Sequence, residues 1–306
     1  MYTQDSEREM ERFGVGQRLG DCLVRGCVVF TGVVRSLGPL KPEPGEPDER
    51  RAVMTRTVDI KVSEWLYGQG TGDTVELLYA ARPSLTKTGA GPWLAWEGVS
   101  LEVRGELLVA RWAKEAPRPS WLGTPEDVAL AASDRSLFAP VREAITRHRQ
   151  FEHDPGEVAK TRQLLREKQD SVLKGYLLTY LMDGEGVRNV DRAAAILSGV
   201  LGYESLPGPA RSAVADWLAS TFYLLTEATR KAATEALVVS ASTDDTGIAN
   251  AALSVLVRLG DMQLLNLKPL LTPERERKIA ENYRVFRAQE KTRQTHPEFE
   301  LQLGLR

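Results

Sequence analysis

Few residues in this chain have types and spacings that suggest chemistry. Ser171-Val172-Leu173-Lys174 has the S-x-x-K form and Lys87-Thr88-Gly89 the K-T-G form of serine acyl enzymes. Those enzymes place K-T-G last. Here it comes first, and no S-D-N element lies between the two segments. The order argues against an acyl enzyme and leaves a solvated helix face and a loop. His148 and His153 frame the segment HRQFEHD with Glu152 and Asp154. On a regular helix an i, i+5 pair points about 140° apart, so the two imidazoles cannot share one metal ion. The segment reads as an ordinary helix end, broken at Asp154-Pro155-Gly156. GVGQRLG (14–20) has glycines at x, x+2 and x+6 with no strand before it, whereas the dinucleotide fingerprint needs x, x+2 and x+5. No catalytic residue, metal ligand or cofactor site is assigned.

Cys22 and Cys27 lie in DCLVRGCVVFTGVV. If that stretch is extended, their Cα atoms are roughly 16 Å apart at about 3.3 Å per residue. A disulfide needs less than about 7 Å, so a bond would require a turn at Arg25-Gly26. Two free, partly buried thiols are expected, which fits a reducing compartment. Trp93 and Trp96, in GPWLAWEG, sit beside a Gly/Pro-rich loop. Tryptophan at such a rim either packs into a small barrel or anchors a partner, and these two are the candidate binding residues.

The elements that must position these groups fall into two classes. Residues 28–34 are compact and β-branched, Val58, Ile60 and Val62 alternate with Asp59 and Lys61, and 74–80 follow a Gly-rich loop. Residues 99–112 hold two strands, or one bent at Arg104-Gly105. Five of the six tryptophans fall within residues 1–121. A loop rich in Pro and charge covers 38–51, and 114–124 reads as a linker. Thr124-Pro125-Glu126-Asp127 has the form of a helix start. From there to about residue 288 the period is helical, with stripes at 172–181, 193–201, 232–239, 248–259 and 279–286. Stripes begin near 193, 213, 229 and 248, so helix pairs recur at the spacing of a solenoid, with an irregular bundle as the alternative.

The segment IANAALSVLVRLGDMQLL (248–265) resembles a HEAT-type repeat. VVFTGVV (28–34), VDIKVSEWLYGQGTGDTVELL (58–78) and VRGELLVARW (103–112) resemble the netrin-like, tissue-inhibitor-of-metalloprotease-like OB barrel. Members of that family that inhibit metalloproteases place a mature N-terminal cysteine on the zinc. About twenty residues precede Cys22 here, so inhibition does not carry over.

The expected fold is therefore α+β in two domains: a polar segment (1–20), an OB-like antiparallel β-barrel (21–113), a linker (114–124), an all-α HEAT-like solenoid or irregular bundle (125–288) and a polar tail (289–306). Lys and Arg total 40 against 42 Asp and Glu, and residues 1–123 hold 16 against 17, so there is no basic footprint for nucleic acid. No apolar run reaches the roughly 18 residues of a membrane span. No apolar h-region of a secretory signal is present, so a cytoplasmic location is expected unless the start site is misassigned. The expected function is a non-enzymatic protein–protein interaction or scaffold role with a protein partner. The alternatives are a hydrolase or transferase with an interdomain site, and single-stranded nucleic-acid binding by the barrel.

Overall fold

Val58 and Ile60 are fully buried and Val62 packs beside them, as their alternation requires. They belong to β3 (Met54–Tyr67), which pairs antiparallel with β1 (Cys27–Leu37) on one side and β4 (Thr74–Ala81) on the other. β1 in turn pairs with β5 (Glu106–Trp112), and β5 with β6 (Val128–Ala132). A two-residue bridge, β2 (Lys41–Pro42), joins the start of β3. The computed structural model describes residues 4–42, 54–70, 72–81, 99, 101–112, 128–167, 170–203, 206–289 and 296–304. Its fold is α+β: five antiparallel strands in the order β4-β3-β1-β5-β6, curled into a half-barrel, and a helical region.

The curl arises in the β1–β3 ladder, where the register shifts at Val29/Phe30, Thr31/Gly32 and Val34/Ser36. Such irregularities add local twist and bend the strand. Gly32 lies at one of them. A Cβ there would sit 2.7 Å from the Lys61 carbonyl oxygen, so the close approach requires glycine. The inner face holds Phe30, Val34, Val58, Ile60, Val75, Leu77, Leu107 and Val109. Before β5 the chain turns at residues 102–105, where Arg104 has φ 71° and the Gly105 N–H donates to the Glu102 carbonyl. That selects two segments over one bent strand across 99–112.

Two compact units are formed: Met1–His153 with Asp170–Tyr176, and Asp154–Gln169 with Leu177–Arg306. The linker expected at 114–124 lies outside the described residues. In the first unit, residues 4–25 form a helix, α1 (Gln4–Arg25), where a polar segment was expected to residue 20. Its buried stripe is Phe13, Gly16, Leu19 and Leu23, and it packs on β1, β5 and β6. Residues 128–132, expected in a helix, form β6 instead. All five side chains are buried, and a run that short satisfies either period, so pairing with β5 decides. α2 (Phe138–His153) and α4 (Ser171–Thr179) also contribute to this unit, α3 (Thr161–Arg166) falling between them in the chain and in the second unit.

α1 and α4 approach through glycines on both sides. A Cβ on Gly16 would lie 1.9 Å from the Val172 carbonyl oxygen and 2.9 Å from the Tyr176 nitrogen. One on Gly175 would lie 2.2 Å from the Phe13 carbonyl oxygen. The GVGQRLG glycines therefore include a backbone-to-backbone contact, not a phosphate cradle. Arg12 closes the same contact with an ion pair to Asp170 at 2.6 Å.

The second unit is helical among its described residues. A π-helical turn (Tyr180–Glu185) leads into α5 (Gly186–Arg188), α6 (Val190–Val200), α7 (Gly208–Thr221), α8 (Glu227–Ala241), α9 (Thr246–Asp261), α10 (Pro273–Gln289) and α11 (Pro297–Gln302). α6 packs on α7 and α8, and α9 packs on α7, α8, α10 and α11. The stripes at 193–201 and 248–259 are buried as read. The 232–239 stripe is offset: Ala233, Leu237, Val238 and Ala241 are buried, while Ala232 and Val239 are exposed. The segment 296–304, expected as polar tail, includes α11 and buries Phe299 and Leu303, four residues apart on one face.

Candidate functional site

In the first unit a cluster of titratable side chains surrounds His148, on the α2 face that also buries Val141, Ala144, Ile145 and Phe151. His148 is 2% exposed. Its Nδ1 lies 3.2 Å from the Tyr176 hydroxyl of α4, and its Nε2 lies 3.7 Å from a Glu152 carboxylate oxygen. The Tyr67 hydroxyl, at the end of β3, donates to that same carboxylate at 3.1 Å. The Tyr67 and His148 rings meet edge to face with centroids 5.4 Å apart. Arg149 lies over the Tyr67 ring and donates to the Leu66 carbonyl at 2.5 Å. Burial and then the Glu152 carboxylate push the Tyr67 phenol well above its ordinary range, so it stays a donor.

A Tyr–Glu–His–Tyr chain can in principle relay a proton. Here His148 and Tyr176 are buried, and Glu152 is the exposed member of the chain. The cluster joins β3, α2 and α4 as a satisfied internal network. His153 is exposed at the end of α2, on a different face from His148, as the i, i+5 spacing dictates. Among the described residues no group of three or more His, Cys, Asp or Glu is arranged to hold a metal ion.

Cys22 and Cys27 are both buried and not bonded to each other. The extended reading of 22–34 fails, however. Cys22 lies in the last turns of α1 and Cys27 opens β1, with Gly26 at φ 90° between them. That turn brings the thiols into contact. Burial first, then the hydrogen bond to Cys27, raises the Cys22 thiol well above its usual range, and so it is no nucleophile. Ser171 and Lys174 form the first turn of α4, with Asp170 accepting from the Val172 N–H at 2.8 Å. Burial lowers Lys174, opposed by Glu9 and Asp170. Lys87-Thr88-Gly89, Trp93 and Trp96 lie outside the described residues.

The second unit holds a surface feature that the sequence did not single out. Trp217 of α7 donates from its indole nitrogen to the Met182 carbonyl at 3.1 Å, and a Cβ on Gly186 would lie 2.6 Å from its ring. The Thr226 N–H and hydroxyl both donate to Asp191, at 2.8 and 2.9 Å. These contacts tie the turn around α5 to the turn after α7. From them project Val187, Tyr223 and Leu224, which are 84%, 65% and 54% exposed. No protein-family model, curated protein or solved structure matches the chain. Function must therefore be argued from such features.

Beside this turn, Glu185 is buried and pairs with Arg192 at 2.5 Å, which anchors the π-helical segment. The run Phe222-Tyr223-Leu224-Leu225 is too short to reveal a period. Its first and last residues are buried and its middle two exposed.

Proposed function

We propose that the chain is a non-enzymatic protein-binding protein, with an OB-like β-domain and a HEAT-like helical domain. The curled antiparallel sheet with VVFTGVV on its central strand supports the first part. Packing of α6 on α8 and of α7 on α9, two helix layers in alternation, supports the second. Balanced charge in both halves disfavours nucleic acid as the partner. No described helix is long and apolar enough to cross a membrane, and two unbonded cysteines support a cytoplasmic setting.

The observation that carries the reading is the exposure of Val187, Tyr223 and Leu224 on two turns held together by side-chain hydrogen bonds. Large apolar groups on a braced surface are what a protein partner desolvates, and tyrosine is enriched at such contacts. Trp93 and Trp96 are the second proposed contact. The test is affinity capture from the native cell with mass spectrometry, comparing wild type with Val187→Ser/Tyr223→Ser/Leu224→Ser and with Trp93→Ala/Trp96→Ala. A partner retained by wild type and lost from the triple variant, at unchanged melting temperature, supports the reading. Identical captures from all three proteins would refute it.

A further inference from the structure

A cleft of about 410 Å³ lies between α6 and α8 in the second unit. This falls within the roughly 300–1,000 Å³ of small-ligand sites. Its floor is small because Gly199 lies near the end of α6, Gly202 just beyond it, and α8 carries Ala232 and Ala236 on the facing side. Arg162 stands at one wall. Its Nε donates to the Tyr203 hydroxyl at 3.4 Å, and its guanidinium lies 2.9 Å from the position a Cβ on Gly199 would take. Any side chain at 199 would displace it. Glu235 stands on α8 at the same cleft. Among the described residues neither Arg162 nor Glu235 forms an ion pair, although both stand beside a shared cavity.

A second observation points into the same space. Ser240 lines the cleft yet is only 5% exposed. Its hydroxyl lies 3.5 Å from the Cβ position of Gly202, and it donates no hydrogen bond to any described residue. The hydroxyl opens onto the cleft, where a ligand oxygen can accept from it. An Arg suited to a carboxylate, a carboxylate suited to an ammonium and a hydroxyl free to donate into the cleft point to one ligand class. We propose that this cleft binds a short peptide zwitterion with both termini free: its carboxylate on Arg162, its amine on Glu235 and a backbone carbonyl on Ser240. The assignment is independent of the apolar surface around Val187.

The test is titration of the full chain with trialanine, followed by amide NMR. Saturable shifts confined to residues near 162, 199–203 and 232–240 are expected. N-acetyl-trialanine amide should bind at least tenfold more weakly. Arg162→Gln and Gly199→Ala should each weaken trialanine at least tenfold, the second by moving an unchanged arginine. Glu235→Gln should weaken trialanine but not the N-acetylated, free-carboxylate peptide. All three positions are at least partly exposed, and unchanged circular dichroism would confirm that the variants fold. Equal binding of the blocked peptide, wild-type affinity in Arg162→Gln, or the absence of saturable shifts would each overturn the assignment.

Discussion

Replacing Gly16 by alanine sets two effects against each other. Inside a helix, alanine is favoured over glycine by about 1 kcal/mol. Gly14, two residues earlier in α1, has nothing within 4 Å of its Cβ position, so Gly14→Ala should gain that amount in full. At Gly16 the new Cβ would sit 1.9 Å from the Val172 carbonyl oxygen, against an ordinary contact of about 3.5 Å. Overpacking costs about 1–3 kcal/mol where side chains can move aside. Here both nearest obstacles are α4 backbone, so the upper end applies. The net result is a loss of about 2 kcal/mol for Gly16→Ala, and a gap of about 3 kcal/mol between the two variants. At roughly 2–4 °C per kcal/mol the melting temperatures should differ by about 6 °C or more, with opposite signs relative to wild type. Thermal denaturation followed by circular dichroism reads this directly. A Gly16→Ala protein that gains stability as Gly14→Ala does would refute the backbone contact between α1 and α4.

Three further outcomes are expected. Leu256→Ala, at a fully buried position in α9, should cost about 2–5 kcal/mol through lost burial plus cavity, read by urea denaturation; a wild-type midpoint would contradict the burial of that stripe. Alkylation of the denatured chain without reductant should label both Cys22 and Cys27, and a mass two hydrogens light with no label would show them bonded. Asp134 accepts from the Ser136 hydroxyl and N–H, which lowers its carboxyl. Its contribution is then present above the unfolded carboxyl range near pH 4 and lost as pH falls through the lower folded value. Asp134→Ala should cost about 0.5 kcal/mol at pH 7, the low end for an exposed cap, with the gap to wild type closing below about pH 4. A gap that widens in acid would reverse the sign.

The parts of the fold that were legible have clean periods. Val58, Ile60 and Val62 alternate, and Ile248 through Leu259 repeat at helical spacing, so each reported its own burial. Elsewhere the deciding information lay far away in the chain. Gly16 weakens α1 locally, and only α4, 158 residues from Arg12 at the ion pair to Asp170, explains its presence. Five small apolar residues at 128–132 fit either period until β5 is beside them. Alanine on both sides of α8 made Ala232 and Val239 look like core, although the buried side is that of Ala233 and Leu237. At the candidate sites, divergence of His148 and His153 followed from spacing alone. The partners Tyr67 and Tyr176 did not, because a strand and a separate helix supply them. Tyr223 and Leu224 were hidden inside an apolar run whose ends are buried.

The first unit is discontinuous: its sheet and first two long helices precede residue 154, but the turn of α4 that meets Gly16 starts only at Asp170. During synthesis, at about 5–20 residues per second, α1 must wait for that turn with its glycine face unpaired. The intervening segment, assigned to the second unit, is made before the first is complete. Stopping synthesis at residue 153 would therefore yield a sheet unit lacking its contact with residues 170–176.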